Sequence, residues 1–391
     1  MRGILEMIYF DNSATTRCAD EAVDIMTKCL QEDFGNPSSL HSMGAKGKDY
    51  IKEARETIAG ILKVQPKEIY FTSGGTEGNN LAIKGGAAAK KRRGMHIITT
   101  KIEHASVLNP VKYLEKKEDF EVTYLGTDEF GVISLDELKE ALREDTVLVS
   151  IMMVNNEIGS VQPIEEASKI IKGFNKDILF HVDSIQSFGK MKILPKKMGI
   201  DMLTVSGHKI HGPKGSGFIY INESIFNIMV PQILGGGHER GMRSGTENVP
   251  AIAALGIASK KAYENLDENR EHMYAMRHRL IEGISSIDGV TVNGHLDEEN
   301  APHIVSVSIK GNRTRAQVIL NALQDNYGIF VSAGSACSSN KPAISETLKS
   351  IGLEKDLLER TIRFSFCPEN TMEEVDAAVT ALKELVPMMT L

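Results

Sequence analysis

Tryptophan is absent from this 391-residue chain, and its four cysteines, Cys18, Cys29, Cys337 and Cys367, show no CxxC spacing. Neither a structural zinc site nor the disulfide framework of a small secreted domain is therefore expected. No apolar run approaches the roughly 18 residues of a membrane span, and MRGILEMIYF at the start has no apolar run long enough for a signal peptide. These absences predict a cytoplasmic protein, in which a free thiol can serve as a reagent.

Charge of one sign is not in large excess, since 45 basic and 52 acidic residues give a formal net charge of -7. General attraction to nucleic acid or to an anionic membrane is therefore not expected, although a local basic patch would leave tRNA open as a partner. The hydrophobic and charged fractions, 41% and 25%, are ordinary for a globular protein. The length predicts two or three domains with a large core.

Short apolar runs alternate with amphipathic segments from about residue 19 to 260. The predicted strands are 96–100, 121–125, 146–154, 178–184, 202–206 and 218–221, and the predicted helices lie near 46–62, 76–92, 104–117, 135–142 and 163–173. Strands rich in Val, Ile and Leu that are separated by helices favour a mainly parallel sheet buried on both faces. In such an α/β architecture, ligands bind at the carboxyl ends of the strands.

The pattern changes after residue 260. A charged helical stretch at about 247–284 is predicted to be a connector, and shorter elements follow it: strands at 303–309, 329–333 and 361–366, and helices near 314–325 and 371–386. These elements predict a smaller α+β domain. We expect a large domain at 16–260 and a small domain made of 1–15 and 261–391.

Two glycine-rich segments are candidate phosphate sites. In FTSGGTEGNNLAI (71–83) a strand runs into Gly74-Gly75, and Thr76 opens a helix whose free N–H groups favour an anion. The alternative there is a simple helix cap. In SGHKIHGPKGSGFIY (206–220) Ser206 and His208 flank Lys209, whose amine could form a Schiff base if its surroundings keep it neutral. A solvated turn lysine or a nucleotide loop remains the alternative.

Polar side chains also follow other predicted strands. Asp183 lies at the end of the apolar run ILFHVDS, where a buried carboxylate would need a cationic partner such as a protonated pyridine. Gln186 lies three residues further along the chain. His104 opens a helix, where it could stack on an aromatic ligand and move protons. The alternatives are a helix N-cap for the aspartate and a structural role for the histidine. Asn155, in NNEIG, is a candidate ligand contact, or else a turn residue.

Further candidates lie in the second half. Arg363 in TIRFSF could bind an α-carboxylate as a bidentate pair, or form a buried ion pair with Asp or Glu. Cys337 lies in the small-residue loop FVSAGSACSSN, which suggests an accessible, mobile thiol. Cys18 and Cys29 are predicted to lie in one amphipathic helix as structural residues. The loop GGGHERGMRSGTEN (235–248), which contains Thr246, could meet a phosphate or a neighbouring subunit.

Taken in order, these segments resemble the cysteine desulfurases of the NifS/IscS type, a family of fold-type I pyridoxal-phosphate enzymes among the class V aminotransferases. The resemblance runs nearly end to end, through IYFDNSATT (8–16), GNPSSLH (35–41), FTSGGTEGNN, EHASV, NNEIGSVQPI, HVDSIQSFGK, SGHKIHGPKG, RSGTENV, SAGSAC and RFSF. The fold that it implies has a large domain with a mainly parallel central sheet and a smaller α+β domain, which carries the loop of Cys337.

The resemblance also implies roles for single residues. Lys209 would carry pyridoxal 5'-phosphate and move the substrate's α-proton. Asp183 would pair with the pyridine nitrogen and Gln186 with the ring oxygen, while His104 would stack on the ring. Gly75, Thr76, Ser206 and His208 would hold the phosphate, and Thr246 would reach it from the partner subunit of a homodimer. Asn155 would contact the cofactor and, with Arg363, the substrate carboxylate.

The implied reaction converts L-cysteine to L-alanine, with Cys337 taking the sulfur as a persulfide. The sulfur would pass to an acceptor such as an iron–sulfur scaffold or a tRNA-thiolation enzyme. No resident metal is expected, although Cys337 could transiently contact an iron–sulfur cluster. Departures from the family pattern are SSNKPAISETLKSIG after Cys337, Cys367 where glycine is usual and His238 where glutamine is usual. A selenocysteine lyase, a cysteine lyase or a non-catalytic assembly scaffold are the alternative functions.

Overall fold

The computed structural model describes residues 7–311, 315–333 and 345–390. Cys337 and the loop around it lie outside these residues. Within the described parts of the chain, three sheets are formed by thirteen strands. The strands are β1 (Ile8–Tyr9), β2 (Ile69–Thr72), β3 (His96–Thr100), β4 (Glu121–Leu125), β5 (Thr146–Met152), β6 (Leu179–Asp183), β7 (Met202–Ser206), β8 (Gly217–Ile221), β9 (Val290–Asn293), β10 (Ile304–Ile309), β11 (Ile329–Phe330), β12 (Ser332–Ala333) and β13 (Thr361–Ser365).

The helices surround these sheets. They are α1 (Asp20–Gln31), α2 (Ser42–Leu62), α3 (Gly75–Asn80), α4 (Gly86–Lys90), α5 (Ala105–Lys117), α6 (Leu135–Ala141), α7 (Ile164–Phe174), α8 (Val249–Glu264), α9 (Leu266–Ile284), α10 (Ala316–Tyr327), α11 (Glu346–Ser350), α12 (Lys355–Leu358) and α13 (Met372–Thr390). A π-helical turn, Leu81–Gly85, joins α3 to α4, so that the chain is helical from residue 75 to 90. In the part of the chain that the structure describes, no helix has the length and apolar character needed to cross a membrane.

The largest sheet has seven strands in the order β2-β8-β7-β6-β5-β3-β4, and β8 alone among them runs antiparallel to its neighbours. Every residue of β5, β6 and β7 is buried, as expected for strands covered on both faces. Alternate residues face opposite hydrophobic clusters: Phe180 and Val182 pack on one side of the sheet and Leu179 on the other. The predicted mainly parallel α/β sheet is confirmed.

The register of this sheet creates one functional edge. Asp183 of β6 pairs with Met152 of β5, and on its other side with Thr204 of β7. Because these three strands are parallel, the segments that follow them emerge side by side at their carboxyl ends. The sheet therefore brings together residues that lie far apart in the sequence.

A four-stranded antiparallel sheet, β12-β13-β10-β9, and the parallel pair β1-β11 lie in the second half of the fold. They share one hydrophobic cluster with α9, α10 and α13, and Phe10 from the N-terminal segment is part of it. Each large side chain that is fully buried there contributes about 1.5–3 kcal/mol of hydrophobic stabilisation. The boundary at residue 260 stays a prediction, although the chain does pass from α8 to α9 at Asn265.

Two predictions need correction. The stretch 247–284 is not one charged connector, because it forms two helices, and α8 is mostly buried against α1 and α2. The first part of α8, VPAIAALGIAS, supplies apolar surface to the core of the large sheet. Most of the charge lies in the last turns of α8 and in α9. Cys29 is buried in α1 as expected, but Cys18 lies two residues before that helix begins.

Candidate functional site

A cavity of about 580 Å³ opens at the carboxyl ends of β6 and β7. Most of the side chains singled out from the sequence line it, although they come from separate segments of the chain. These residues are Gly75, Thr76, His104, Asp183, Gln186, Ser206, His208, Lys209 and Arg363. The fold therefore assembles one site from motifs that the sequence shows only as scattered fragments.

Asn155 is not among the residues that line this cavity. Its side chain is fully buried, and its Oδ1 accepts hydrogen bonds from the N–H groups of Glu157 and Ile158. Its Nδ2 donates to the carbonyl oxygen of Ile102 at 3.0 Å and to Thr347 Oγ1 at 3.3 Å. These bonds correspond to the turn role that the sequence left open for Asn155. Its neighbour Asn156 lines the cavity instead.

Thr246 is exposed and lies outside the cavity of its own chain. It lines a smaller depression of about 120 Å³, together with Ser73 and Gly215. Both of these residues also line the main cavity, so the two hollows share a wall. The predicted nucleophile, Cys337, lies outside the described residues.

Asp183 is the last residue of β6 and is 4% exposed. Its Oδ2 accepts a hydrogen bond from Asn79 Nδ2 at 2.8 Å, and its Oδ1 accepts one from the N–H of Ile185 at 3.0 Å. Burial raises the pKa of this carboxyl group above its ordinary value, an effect that the two hydrogen bonds oppose only in part. A cation bound in the cavity next to Asp183 would be strongly favoured, because it would offset the cost of a buried carboxylate.

His104 is oriented by a series of hydrogen bonds that begins at Asn79, the residue whose amide also bonds Asp183. Asn79 Nδ2 donates to Ser106 Oγ at 2.9 Å, and Ser106 Oγ lies 2.8 Å from His104 Nδ1. The backbone N–H of Ser106 also donates to His104 Nδ1 at 3.1 Å, which makes His104 the cap of α5. Because Nδ1 accepts, the ring proton in this arrangement is on Nε2. Asn79 thus holds both the aspartate and the histidine in place.

Lys209 ends a short 3₁₀ turn, Gly207–Lys209, directly after β7. Its Nζ donates hydrogen bonds to the carbonyl oxygens of Ser13 and Ala14. Gln186 Nε2 donates to the same Ser13 carbonyl at 3.0 Å. The N-terminal segment therefore forms one wall of the site, a role that the pattern of the sequence did not reveal. Lys190 lies behind this wall, where its Nζ donates to the carbonyl oxygen of Lys209 at 2.6 Å.

The other end of the cavity suits an anion. Gly74 has a φ of +144°, which favours glycine there, and a side chain at Gly75 would lie 2.1 Å from Ile185 Cδ1, so that Ile185 would have to move. Ser206 and His208 lie on the facing wall. Burial and the charges of Lys209, Lys214 and Lys190 lower the pKa of His208 to about 4. The histidine is therefore neutral and can donate or accept a hydrogen bond, in a region of positive potential.

Arg363 reaches the cavity from β13 of the smaller sheet and is 3% exposed. Its Nη1 donates to the carbonyl oxygen of Asn156 at 2.6 Å, and its Nη2 donates to Asp11 at 2.9 Å and to Ser332 Oγ at 2.8 Å. Among the described residues, Nε has no hydrogen-bond partner. The buried ion pair, one of the two alternatives drawn from the sequence, is confirmed. Arg363 also lines the cavity, and its binding of an α-carboxylate stays a prediction.

A ligand that fits this arrangement has a phosphate at one end, a group beside Asp183 that can carry positive charge, and a carbonyl within reach of Lys209. A phosphorylated pyridine aldehyde meets all three requirements. Ser13 lines the cavity, and its Oγ is buried without a hydrogen-bond partner among the described residues, so the protein alone does not satisfy every polar group of the site.

Comparison with known proteins gives a consistent picture. The profile of the aminotransferase class-V family matches residues 8–378. The cysteine desulfurase IscS of Methanosarcina thermophila is 42% identical over 381 residues, which cover 97% of this chain and 92% of that protein. A solved NifS-like protein aligns with a TM-score of 0.91 at 39% identity, over 98% of this chain and 100% of the other. The solved structure described as SspA in complex with cysteine has a TM-score of 0.79 at 36% identity, over 93% and 100% of the two chains. The chain therefore belongs to the aminotransferase class-V family, among the cysteine desulfurases of the NifS/IscS type.

Proposed function

We propose that this chain is a pyridoxal-phosphate-dependent cysteine desulfurase, which converts L-cysteine to L-alanine and transfers the sulfur to an acceptor protein. One observation carries the proposal: Lys209, Asp183 and His104 meet in a single cavity whose far wall presents Arg363. An amine, a buried acid, an imidazole and a guanidinium are the groups that chemistry on a bound amino acid requires. The relatives named as cysteine desulfurases favour cysteine as that amino acid.

The residues of the cavity fit the cofactor. Gly75, Thr76, Ser206 and His208 would hold its phosphate, and Asp183 would face its ring nitrogen. Gln186 would contact the ring oxygen, and His104 would lie against the ring. When bound, pyridoxal phosphate supplies an aldehyde that a lysine amine can attach to and a ring that accepts electrons from the substrate's α-carbon. Asp183 would favour this by stabilising positive charge on the ring nitrogen.

Two residues would act on the substrate. Lys209 Nζ, which is held by the carbonyl groups of Ser13 and Ala14, would take the proton from the α-carbon and later return one. Arg363 would bind the α-carboxylate through the N–H groups of the guanidinium that the ion pair with Asp11 leaves available. Asn155, whose amide bonds within its own turn and to neighbouring residues, would support the wall behind them rather than bind the substrate directly.

Sulfur transfer would be the task of Cys337. Its thiolate would attack the substrate sulfur, so that a new S–S bond forms on the enzyme and the Cβ–S bond breaks with its electron pair left on Cβ. Cβ would then take up a proton, and alanine would leave. The resulting persulfide would pass to an iron–sulfur scaffold or to an enzyme of tRNA or cofactor thiolation. The transfer would take place in the cytoplasm.

A homodimer is part of the same proposal. Thr246 is exposed on its own chain and lies beside the wall that its depression shares with the cavity. In a dimer, the loop that carries Thr246 would reach the phosphate end of the partner's cavity. Direct binding to nucleic acid or to a membrane is not part of this function.

The decisive experiment incubates the purified protein with L-cysteine and measures alanine and protein-bound persulfide. We expect both products from the wild type and from Cys18→Ser, which removes a thiol that does not line the cavity. Cys337→Ser should form no persulfide on the enzyme and lose most of its turnover. Lys209→Ala should lose the cofactor's covalent attachment after borohydride treatment. Equal turnover in Cys337→Ser would overturn the assignment of the nucleophile, and a wild type that binds no cofactor would favour a non-catalytic scaffold.

A further inference from the structure

A second cavity, of about 230 Å³, lies behind the main one and shares Lys209 with it. Its lining includes three side chains of the kind that bind transition metals: His211, Cys367 and Glu369. One ligand atom from each of these residues lies within 4.8 Å of the other two. They come from two separate segments, the loop after Lys209 and the turn after β13.

One of the three spacings between these atoms already suits a tetrahedral ion. Zinc bonds of about 2.0–2.3 Å place ligand atoms roughly 3.3–3.7 Å apart. His211 Nε2 lies 3.4 Å from Glu369 Oε2, which is already in that range. Glu369 is 61% exposed, so its side chain is free to rotate toward the sulfur of Cys367. Three protein ligands would leave a fourth position for water.

His211 is held in the form that a metal needs. Its Nδ1 lies 3.1 Å from the carbonyl oxygen of Arg17, which can only accept a hydrogen bond. Nδ1 therefore carries the ring proton, and Nε2 presents its lone pair toward Glu369 and Cys367. The backbone of His211 has a φ of +62°, an uncommon conformation for a residue with a side chain, and hydrogen bonds to Thr16 and Arg17 hold it there.

Cys367 supplies the thiol of the cluster, whose ionisation would help to balance the charge of a bound ion. It is 9% exposed, and burial, together with the charge of Glu369, raises the pKa of its thiol far above the ordinary value. A divalent cation would reverse this effect, because a coordinating thiol loses its proton. A thiolate and a carboxylate would then neutralise the two positive charges of the ion. Lys190, which also lines the cavity, is bonded to the carbonyl oxygen of Lys209.

We propose that His211, Cys367 and Glu369 form a binding site for a soft divalent cation, with Zn²⁺ as the best match. Binding forms Zn–N, Zn–S and Zn–O bonds and releases the proton of the Cys367 thiol to solvent. No electron transfer is involved. Mg²⁺ and Ca²⁺, which prefer six or more oxygen ligands, should not bind here.

From its position, a bound ion should stabilise the fold. His211 is two residues from Lys209, and Cys367 is four residues from Arg363. A bound ion would tie the segment that carries the amine to the strand that carries the guanidinium. Because the ion would bind the folded chain and not the unfolded one, it should raise the melting temperature.

Titration of the tag-free holoenzyme with Zn²⁺, in competition with a coloured zinc chelator, tests the proposal. The wild type and Cys337→Ser should each bind one ion at this site. Cys367→Ser and His211→Asn should bind it more than about 100-fold more weakly, since even outer-shell partners of a metal are worth about 10- to 100-fold. Asparagine is chosen for position 211 because it tolerates a positive φ. Glu369→Gln keeps an oxygen atom that can bind the ion and removes only the charge, so it is the mildest change and should weaken binding least.

A second readout uses Co²⁺, whose charge-transfer absorption with a thiolate reports directly on sulfur ligation. We expect this absorption in the difference spectra of the wild type and Cys337→Ser, and not in that of Cys367→Ser. Equal Zn²⁺ affinity in the wild type and Cys367→Ser would overturn the proposal and leave His211 and Glu369 as a simple ion pair. Loss of binding in Cys337→Ser would equally overturn it, because the ion would then be at the reactive thiol. Neither result depends on whether the enzyme turns over cysteine.

Discussion

The guanidinium of Arg363 lies 2.9 Å from the carboxylate of Asp11, although 352 positions separate the two residues in the sequence. The N-terminal segment therefore holds one edge of the guanidinium, and its other donors are shared among Ser332, Asn156 and the cavity. This arrangement fixes the plane of the guanidinium. A substrate carboxylate that binds here, as proposed, would meet an arginine that is already oriented.

Arg363→Lys should raise the KM for L-cysteine by about 10- to 100-fold, with a smaller effect on kcat. A lysine keeps the charge but cannot present two parallel donors, and a charge-assisted hydrogen bond is worth about 1.5–3 kcal/mol. Steady-state kinetics of alanine formation would measure the change. Arg360→Lys, three residues earlier in the chain and away from the cavity, is the matched control. An unchanged KM in Arg363→Lys would mean that the arginine serves only its ion pair.

Asn79→Ala should destabilise the protein and weaken cofactor binding. The substitution removes the donor to Asp183 and to Ser106 in a fully buried position, at a cost of about 1–3 kcal/mol. Thermal unfolding and the cofactor content at limiting pyridoxal phosphate would measure the two effects. Asn80→Ala removes a hydrogen bond to the carbonyl oxygen of Thr76 near the surface and should change the free energy of unfolding by less than about 0.5 kcal/mol. If the two neighbours behave alike, Asn79 does not organise the site.

The sequence predicted the large sheet well because its strands are continuous apolar runs. Each predicted strand from 96–100 to 218–221 overlaps a strand of the structure, with ends that differ by two residues or fewer. Two kinds of element were not foreseen. β1 has only two residues, too few for any periodicity. α8 was included in a charged connector because the average charge over 247–284 is high, although the first part of α8 is apolar.

Site residues were foreseen where a local pattern marks them. Lys209, Asp183 and His104 each follow an apolar strand, and parallel strands carry such residues to one edge. Asn79 and Glu103 were missed because they act through partners on other elements, and Ser13 was missed because it acts through its own backbone carbonyl oxygen. Asn155 was foreseen as a ligand contact, but its amide is used within its own turn and by neighbours whose position no local pattern predicts.

Mixed dimers would test whether Thr246 acts across the subunit interface. One subunit would carry Lys209→Ala and the other Thr246→Val, with separate affinity tags for purification. If each cavity uses the partner's threonine, one of the two sites in the mixed dimer keeps both residues intact. About half of the wild-type activity and of the tightly bound cofactor should then return. Activity no higher than that of the two parent variants mixed without exchange would place the action of Thr246 within its own chain.

Glu103 should make the stability of the fold depend on pH. Its carboxyl group is buried beside β5, where Oε1 accepts hydrogen bonds from Met152 N–H at 2.8 Å and from Thr100 Oγ1 at 2.9 Å. Burial, and to a smaller extent the charge of Asp183, raises its pKa to about 8, from an ordinary value of 4.5. Because the folded state holds this proton more tightly than the unfolded state does, the carboxyl contributes stability that is present below about pH 4.5 and is lost as the pH rises through 8.

Comparison of the wild type with Glu103→Gln isolates this effect, since glutamine does not titrate. Between pH 5 and 8 the melting temperature of the variant should rise relative to that of the wild type, with a total difference of at most about 5 kcal/mol in the free energy of unfolding. Glu129→Gln, on the exposed surface, should show no such trend. A constant difference between wild type and Glu103→Gln across this range would show that Glu103 is ionised in the folded protein. The folded protein would then hold a buried carboxylate at Glu103 in addition to the buried acid at Asp183.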